Sequence, residues 1–556
     1  MVDDRRSVLV VGASAAGLRC ACRLARLKPH WNIRVIEGRE LFSYAACGLP
    51  YALSGDIGDP ESLRRADHGV TRDTEYFSRY KAVDVLAGQR AVALDVGRRR
   101  LTVQGPRGTE DLVWDDLVLA TGAKPLRLAD QPDHPRVLGF HVWEDVEPLK
   151  RALATGRLER VALIGGGLVG CELAEAFRAL WGADVVLVEA ARSVLPRVLD
   201  PDLAACVAGY LRANGVRLRF GSPVEEIRAN DEKVSLITGG ETVEAQAGVV
   251  AIGVKPDVEL GRTAGLELGC GGAIVVDSRM ATSEPHVWAV GDCATVRHVV
   301  TGDRAYMPLG SLANRQGRTL ANILAGRNDA FPPVVGATAV KIFDWNVAAA
   351  GCTETAARKR GIDARSARIT ALDRPHYWPE AKEIHLKLVY EASSHRVLGL
   401  QAAGSGEVAK RVDAATQLIA REATLDDFIH LEHAYAPPYA PAMDPLAVVA
   451  MAAQNEEDGI ASVSPAEAWE GSALLDVRTP KEVENEPATH GRLIHIPLDE
   501  LAGRLGEVED SVRCVVCERG TRSAEAVRLL RRYGVEARYL GGGLHWRTAM
   551  DGGDES

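Results

Sequence analysis

One cysteine of this chain stands in a setting that favours redox chemistry. Cys47 lies in the segment 43–51, where glycine and proline interrupt regular structure, ten residues after Glu37. A thiol on such a turn can exchange electrons with a neighbouring redox group. The alternative is a packing cysteine at the start of a helix, because unreactive cysteines are usually buried. The fifth residue after Cys47 is Ala52, so no internal disulfide of the Cys-x4-Cys kind can form there.

A second cysteine, Cys517, opens a loop between an apolar run and a predicted helix. A strand that ends at this cysteine lets the following N–H groups surround its sulfur, and the next helix directs its positive end toward it. Such a cradle favours a thiolate and would hold an anionic persulfide. Cys514 forms a formal Cys-x-x-Cys with Cys517, but an odd spacing on a strand sends the two side chains to opposite faces. The candidate loop residues are Cys517, Arg519, Gly520, Arg522 and Ser523.

The first of two glycine-rich turns spans residues 12–17. It follows the continuous apolar run 7–11, which is typical of a strand buried in a parallel sheet. Its glycines let a pyrophosphate approach the N-terminus of the next helix, and an acid 20 residues past the turn can accept ribose hydroxyls. Because serine replaces the middle glycine, this match depends on its context. The candidate nucleotide-binding residues are Gly12, Ser14, Ala15, Gly17 and Glu37.

The second glycine-rich turn carries a full G-x-G-x-x-G at Gly165, Gly167 and Gly170. It lies between a predicted strand and an amphipathic helix, and the next predicted strand ends at Glu189, 19 residues past the third glycine. A carboxylate there binds a free ribose and repels a 2′-phosphate, which predicts NADH over NADPH. Arg192 follows three residues later and leaves NADPH as the alternative.

Composition and charge describe a multidomain protein without a global basic surface. The chain has 556 residues, of which 46% are apolar and 54 are glycine, and this suits three or four α/β domains. A net charge of −10, mixed along the chain, predicts no general attraction to nucleic acid or an anionic membrane. We find no signal peptide and no apolar run of about 20 residues, so we expect a cytoplasmic protein. Ten cysteines indicate reduced thiols, and no metal site is predicted.

The segment around Cys47 resembles one known family. Residues 43–57 resemble the single-cysteine flavin disulfide reductases and, most closely among them, the coenzyme A-disulfide reductases, and Glu37 with residues 288–293 resembles the FAD-binding elements of that superfamily. Residues 310–317 open a predicted helix whose N-terminal dipole could stabilise the negative charge of a reduced flavin. The resemblance implies FAD on the first turn, NADH on the second, and Cys47 near the reactive face of the flavin. It also implies coenzyme A as a substrate or bound ligand, held by Arg23 and Ser43. The other cofactor-binding residues that it implies are Ser43, Thr121, Gly122, Glu172, Gly253, Asp292 and Ala313.

The same resemblance implies a homodimer. Residues 431–439 match the family segment that sends a tyrosine into the active site of the partner subunit, and the matching residue is Tyr435. A second family tyrosine falls at Tyr377, beside a tryptophan. Packing of both aromatic side chains within an interface is the alternative.

The fold class expected is α/β with four domains. Two of the domains are Rossmann-like nucleotide-binding domains: a discontinuous FAD domain and an NAD(H) domain inserted into it. They precede an α+β dimerisation domain and a C-terminal α/β domain that resembles a single rhodanese domain. The predicted bounds are 1–115 and 255–328 for the FAD domain, 116–254 for the NAD(H) domain, 329–452 for the dimerisation domain, 453–463 for a polar linker and 464–556 for the rhodanese domain.

The implied activity is NADH-dependent reduction of coenzyme A disulfides, persulfides or polysulfides. Electrons would reach a mixed disulfide or persulfide on Cys47 from NADH through FAD. Cys517 would supply or accept sulfane sulfur on a tethered arm, which favours persulfides or polysulfides as substrates.

Two other functions remain open from the sequence. An NADH oxidase or peroxidase could cycle Cys47 through sulfenic acid, although such enzymes carry a histidine where this chain has Ala15. A sulfur-carrier or redox-sensing module is the other. The coenzyme A reductases usually have asparagine where this chain has Ala46, which leaves the acceptor thiol open. The sequence also leaves the direction of sulfur flow between Cys517 and Cys47 open.

Overall fold

The computed structural model describes residues 5–467, 473–487, 492–509 and 511–552. The strands are β1 (Ser7–Val11), β2 (Asn32–Ile36), β3 (Asp84–Leu86), β4 (Arg90–Asp95), β5 (Arg100–Gly105), β6 (Gly108–Val113), β7 (Asp116–Leu119), β8 (Ala123–Pro125), β9 (Val137–Gly139), β10 (Arg160–Ile164), β11 (Asp184–Glu189), β12 (Val216–Phe220), β13 (Val224–Ala229), β14 (Val234–Thr238), β15 (Glu241–Ala245), β16 (Ala247–Val250), β17 (Val254–Pro256), β18 (Val287–Ala289), β19 (Val296–Arg297), β20 (Arg304–Ala305), β21 (Thr338–Ile342), β22 (Trp345–Gly351), β23 (Ala364–Leu372), β24 (Glu383–Glu391), β25 (Val397–Gly404), β26 (Ser462–Val463), β27 (Ala473–Asp476), β28 (Arg492–His495), β29 (Val512–Val516) and β30 (Arg538–Leu540).

The helices follow the same order along the chain. They are α1 (Ala15–Leu27), α2 (Leu49–Ser54), α3 (Thr74–Tyr76), α4 (Val146–Ala154), α5 (Leu168–Ala179), α6 (Pro201–Ala213), α7 (Glu259–Thr263), α8 (Gly310–Leu324), α9 (Glu354–Arg358), α10 (Ala409–Ile419), α11 (Leu425–Ile429), α12 (Pro445–Glu457), α13 (Pro480–Asn485), α14 (Leu498–Leu501), α15 (Thr521–Arg532) and α16 (Gly543–Asp551). Within the described residues, no helix combines the length and apolar character that a membrane span requires.

The described residues form two compact units. The first contains the chain up to Gly165, with Ala179–Ala183 and Glu225–Val334, and the second contains Gly166–Arg178, Asp184–Val224 and the chain from Val335 onward. The boundary between the two units runs through the predicted NAD(H) domain.

The core of the first unit is a parallel sheet in the order β18-β7-β1-β2-β3. The strand β1 consists mainly of apolar residues and is buried on both faces, as expected for a parallel sheet covered by helices. Helices α1 and α8 pack closely against each other in this unit. The predicted boundary after residue 115 assigned β7 to the NAD(H) domain, and this assignment is wrong. The strand pairs with β1 and β18 and so belongs to the sheet of the first unit.

Other strands of the first unit form smaller groups. The strands β4, β5 and β6 form an antiparallel sheet, and β8 pairs with β17. The strand β10, which leads into the second glycine turn, is parallel to β16, and β16 is parallel to β9.

The second unit contains the parallel pair β11 and β12 and two further sheets. The first sheet is antiparallel, in the order β21-β22-β25-β24-β23, and carries α10 on one side. The second is parallel, in the order β26-β30-β29-β27-β28, with α15 and α16. Together with the parallel sheets of Rossmann type, these sheets confirm the predicted fold class, including the rhodanese domain.

The predicted linker 453–463 is largely ordered structure. Its first residues continue α12, and its last residues form β26, which pairs with β30 of the rhodanese sheet. The polar side chains that suggested a solvated segment have partners instead. Glu457 accepts hydrogen bonds from Arg365 at 2.7 Å and from the Tyr390 hydroxyl at 2.7 Å, and Glu456 accepts one from Ser462 at 2.5 Å.

The rhodanese domain packs firmly on the rest of the second unit. A Cβ placed on Gly209 of α6 would lie 2.1 Å from the carbonyl oxygen of Ala549 in α16, so only glycine permits this approach. The Cys206 thiol donates to the carbonyl oxygen of Trp546 at 3.6 Å, and the Trp546 ring is fully buried against His385. These contacts contradict the predicted tethered arm, because a domain held by close backbone packing is not mobile on a linker.

Candidate functional site

The first glycine turn is closely packed within the first unit. A Cβ on Gly12 would lie 2.2 Å from the carbonyl oxygen of Ala120, and a Cβ on Gly17 would lie 2.0 Å from the carbonyl oxygen of Gly12. Gly12 also has a φ of +111°, which side-chain-bearing residues rarely adopt. Ser14 precedes α1 and Ala15 begins it. The turn therefore brings backbone N–H groups to a helix N-terminus, where an anionic group can bind.

Glu37 lies beside this turn. Its carboxylate accepts hydrogen bonds from the backbone N–H of Ala13 at 2.9 Å and of Arg39 at 3.0 Å. These two bonds hold a carboxylate next to the turn, in a position suited to a ribose hydroxyl.

A second group of residues in the same unit carries buried polar atoms without partners. Gly291 donates its N–H to Gln316 Oε1 at 2.7 Å, and a Cβ on Gly291 would lie 2.9 Å from Cβ of Ala16. Gln316 Nε2 and the Tyr306 hydroxyl are buried and form no hydrogen bond in the described structure. Burial raises the pKa of Asp292 to about 6. Such orphaned groups fit a polar ligand like FAD, which would supply the missing partners.

The remaining predicted flavin residues also lie in the first unit. The Thr121 hydroxyl donates to the carbonyl oxygen of Asp257 at 2.5 Å, and Gly122 has a φ of +71°. Gly253 has a φ of +104° and accepts a hydrogen bond from Leu126 N–H at 2.9 Å. Ala313 is buried in the first turns of α8, 3.7 Å from a Cβ built on Gly291.

Cys47 is exposed and lies beside the N-terminus of α8. It belongs to the short turn Ala46–Gly48, and its sulfur lies 3.9 Å from the position of a Cβ on Gly310, the first residue of α8. The backbone N–H of Ser43 donates to the carbonyl oxygen of Ala13 at 3.3 Å, so the cysteine segment is attached to the first glycine turn. Ser43 adopts a φ of +55° there. The positive end of a 15-residue helix stabilises a nearby thiolate.

Arg23 lies in a group of arginines where α1 meets α8. Its Nε donates to Asn322 Oδ1 at 3.0 Å, and burial together with the positive charges of Arg318, Arg327 and Arg26 lowers its pKa. Phosphate groups bound beside Arg23 would relieve this repulsion between positive charges.

The second glycine turn begins at Gly165, where a Cβ would lie 2.5 Å from the carbonyl oxygen of Ala251. In the second unit, the Glu189 carboxylate accepts hydrogen bonds from Gly166 N–H at 2.6 Å and from Ala191 N–H at 2.7 Å. Gly167 has no atom within 4 Å of a built Cβ, so its surface is open. The glycine Gly170 and the half-buried Glu172 follow on α5, and Arg192 is exposed.

The structure brings Tyr377 and Tyr435 together, although 57 positions separate them in the sequence. Desolvation and a hydrogen bond with Tyr435 raise the pKa of Tyr377. Both rings are largely exposed, with 61% and 52% of their surface accessible. Two adjacent exposed phenols on the dimerisation domain can donate hydrogen bonds to a bound group.

Cys517 lies at the end of β29, almost completely buried, within a cradle of N–H groups. The N–H of Gly520 points to its sulfur at 3.2 Å and that of Ser523 at 3.3 Å, and the Ser523 hydroxyl lies 3.4 Å away. Gly520 has a φ of +95° and caps α15.

Cys514 packs in a different apolar cluster from Cys517, so the two thiols face opposite sides of the sheet. Burial raises the pKa of Cys514 to about 12.

Sequence reasoning missed the acidic partners of the rhodanese loop. Glu383 binds Arg519 at 2.7 Å and His545 at 2.7 Å, and Glu482 binds Arg522 at 2.7 Å. Glu482 had a local signal, since it forms a capping box with Thr479. Glu383 had none, because its partners are more than 130 residues away in the sequence.

Comparisons with known proteins cover almost the whole chain. Residues 6–317 match the pyridine nucleotide-disulphide oxidoreductases, and residues 337–447 match the dimerisation domain of that family. A solved NAD-dependent persulfide reductase from A. fulgidus is 36% identical, with a TM-score of 0.94 over 97% of this chain and 99% of the other. Reduced Bacillus anthracis CoADR-RHD is 31% identical, with a TM-score of 0.89 over 98% of each chain.

A curated relative supports the same assignment for most of the chain. The NAD(P)H sulfur oxidoreductase (CoA-dependent) of Pyrococcus abyssi is 35% identical over 451 residues, which are 81% of this chain and 98% of the relative. The two solved structures extend over the C-terminal domain as well.

Proposed function

Because this chain belongs to the pyridine nucleotide-disulphide oxidoreductase family, an FAD-dependent enzyme family, we propose that it uses NADH to reduce coenzyme A persulfides, polysulfides or coenzyme A disulfide. The observation that carries the proposal is the position of Cys47, a single thiol between the first glycine turn and the N-terminus of α8. The buried Ala52 stands where a dithiol enzyme would have its second cysteine. Electrons therefore leave the protein through one sulfur.

The first unit supplies the residues that would hold FAD. The turn at Gly12 and Gly17 would receive the pyrophosphate, Glu37 a ribose, and Gln316 and Tyr306 would gain the partners they lack. When bound, FAD accepts a hydride from a nicotinamide and passes electrons to sulfur. Glu189 would bind the ribose of NADH, and its charge would repel the 2′-phosphate of NADPH.

Cys47 acts as the nucleophile. Its thiolate attacks the outer sulfur of a coenzyme A persulfide, a new S–S bond forms, and the coenzyme A thiolate leaves with the electron pair of the broken bond. Two electrons that originate in NADH, together with protons, then return Cys47 to the thiolate and release hydrogen sulfide. The helix α8 stabilises the thiolate at the start and at the end of this cycle.

The arginine group around Arg23 would hold the phosphates of coenzyme A. Burial and the positive charges of Arg318, Arg327 and Arg26 lower the pKa of Arg23, which supports an excess of positive charge around this residue. A ligand with several phosphates fits such a site better than a small neutral thiol does. This assignment makes coenzyme A derivatives better substrates than glutathione derivatives.

Tyr435 and Tyr377 would complete the site from the partner subunit of a homodimer. The dimerisation domain supports such an assembly, and the two tyrosines are adjacent and exposed on it. A tyrosine phenol carries its proton at neutral pH, so either side chain can donate a hydrogen bond. The pair would donate a hydrogen bond or proton to the leaving thiolate.

Steady-state NADH oxidation with a panel of acceptors tests the proposal. We expect coenzyme A persulfide, polysulfide and coenzyme A disulfide to support turnover, and NADH to be preferred over NADPH by at least about tenfold in kcat/KM. Glutathione persulfide should be slower because it lacks the phosphates. Oxygen or peroxide consumption at the rate found with persulfide would instead identify an oxidase or peroxidase.

A further inference from the structure

Both arginines of the Cys517 loop are paired with carboxylates. Arg519 Nε donates to Glu383 Oε1 at 2.7 Å, and Arg522 donates to both oxygens of Glu482, at 2.7 and 2.8 Å. A third carboxylate, Glu518, lies 3.3 Å from Arg522. Two cations of the loop therefore face three acidic groups.

Glu383 remains ionised at neutral pH. Burial would raise its pKa, but His545 and Arg519 outweigh that effect and lower it to about 2. The pKa of Glu482 is also lowered to about 2, chiefly by its hydrogen bond from Arg522. The positive charges of Arg519 and Arg522 are consequently neutralised before any sulfur donor arrives.

The charge of the leaving group decides which donors this loop can serve. In sulfur transfer, the Cys517 thiolate forms an S–S bond to the outer sulfur of the donor, the original S–S bond breaks, and the leaving group keeps its electron pair. A thiol persulfide releases a thiolate, which carries one negative charge at the reacting end. Thiosulfate releases sulfite, a dianion, which unpaired cations near the sulfur would stabilise.

We propose that Glu383 and Glu482 make the Cys517 loop selective for thiol persulfides over donors with a dianionic leaving group such as thiosulfate. This inference depends on the proposed sulfur-transfer role of Cys517. The N–H groups of Gly520 and Ser523 can hold one negative charge on the product persulfide. A second negative charge on the leaving group would be repelled by three carboxylates, and both arginines of the loop are already paired with acidic side chains.

The selectivity belongs to the fused chain and not to the rhodanese domain alone. Glu383 begins β24 of the dimerisation sheet, whereas Arg519 and His545 belong to the C-terminal domain. The dimerisation domain therefore contributes one of the three carboxylates that set the charge around Cys517.

The test measures persulfidation of Cys517 in the full-length protein with Cys47→Ser, so that the other redox cysteine does not consume the donor. The donors are glutathione persulfide and thiosulfate, and mass spectrometry of the Cys517 peptide gives the rate with each. We expect a large preference for the persulfide. Glu383→Gln and, independently, Glu482→Gln should raise the thiosulfate rate by about tenfold and leave the persulfide rate within about threefold.

Glu500→Gln is the matched control, since Glu500 is an exposed residue of the same domain paired with Arg504. It should change neither rate. Equal rates with both donors in the parent protein, or no rise in the thiosulfate rate in either folded Gln variant, would overturn the inference. Absence of transfer from both donors would instead refute the proposed role of Cys517 itself.

Discussion

At the scale of single residues, the chemistry depends on a thiol placed beside a helix N-terminus. Cys47 is exposed near Gly310, whereas Cys20, Cys171 and Cys206 are completely buried, and burial raises the pKa of each of these three thiols. A buried neutral thiol is a poor nucleophile. Exposure and the helix dipole therefore distinguish Cys47 from these packing cysteines.

Cys47→Ser should abolish reduction of coenzyme A persulfide, because a serine hydroxyl forms no persulfide. We expect NADH turnover with this acceptor to fall by at least about 100-fold, while NADH still bleaches the bound flavin under anaerobic conditions. Stopped-flow absorbance separates the two reactions. Cys270→Ser, at another exposed cysteine of the same unit, is the control and should retain full turnover. Full activity of Cys47→Ser would reject the mechanism.

At the scale of elements, the first glycine turn and α1 form the cofactor cradle. Gly17→Ala would place a methyl group 2.0 Å from the carbonyl oxygen of Gly12, which is backbone and cannot move aside cheaply. We expect a loss of stability of about 1–3 kcal/mol and a lower ratio of FAD to protein after purification. Thermal unfolding and the flavin absorbance measure both effects.

Gly58→Ala provides the comparison for this substitution. No atom lies within 4 Å of a Cβ at Gly58, so the variant should keep its FAD and its thermal stability. Equal FAD content in the Gly17 and Gly58 variants would show that the turn does not hold the cofactor.

The strand β24 and the rhodanese loop are joined by a pH-dependent contact. Since the pKa of Glu383 is lowered to about 2 by His545 and Arg519 against the effect of burial, its contribution to stability is present above the ordinary value of 4.5 and is lost as the pH falls toward 2. We expect the free energy of unfolding to fall over this range, and Glu383→Gln to lack that part of the fall. Denaturation followed by tryptophan fluorescence measures it.

Glu380→Gln serves as the control for the pH experiment. Glu380 lies three residues before Glu383 and is largely exposed, so its removal should leave the slope of stability against pH unchanged. If Glu383→Gln and the parent protein show the same slope between pH 4.5 and 2, the contact contributes nothing to folding.

At the scale of the second unit, the rhodanese domain packs directly against α6 and is not held by a flexible linker alone. Gly209→Ala would place a methyl group 2.1 Å from the carbonyl oxygen of Ala549. We expect α16 to separate from α6 and the rate of limited proteolysis near residues 455–463 to rise by at least about fivefold. Fragment analysis by mass spectrometry measures this rate.

Gly506→Ala is the matched control, because Gly506 lies in the same domain and has no atom within 4 Å of a built Cβ. Its proteolysis should match that of the parent protein. An unchanged rate in the Gly209 variant would mean that the docked arrangement is not maintained by this contact. In either variant, NADH turnover at Cys47 should persist, since neither Gly209 nor Gly506 is among the residues proposed to bind FAD, NADH or coenzyme A.

Much of the fold and of the site could be predicted from local sequence. Buried apolar runs indicate parallel strands, and the start of α8 at Gly310 follows from its motif. Domain bounds were less predictable. The strand β7 was predicted to start a new domain, because its pairing with β1 cannot be inferred from adjacent residues. The polar residues after Gln454 were predicted to form a linker, because the hydrogen-bond partners of Glu457 lie far away in the sequence.

The sequence by itself determined what each local segment could do: glycine-rich turns that let a pyrophosphate approach a helix N-terminus, a lone cysteine on a turn, and a loop whose N–H groups surround Cys517. These features depend on residues a few positions apart, so short-range geometry suffices to infer them. Only the tertiary structure decided that Cys47 meets α8, that Tyr377 meets Tyr435, and that Glu383 neutralises Arg519. Such contacts join distant segments, and their existence depends on how whole sheets and helices pack.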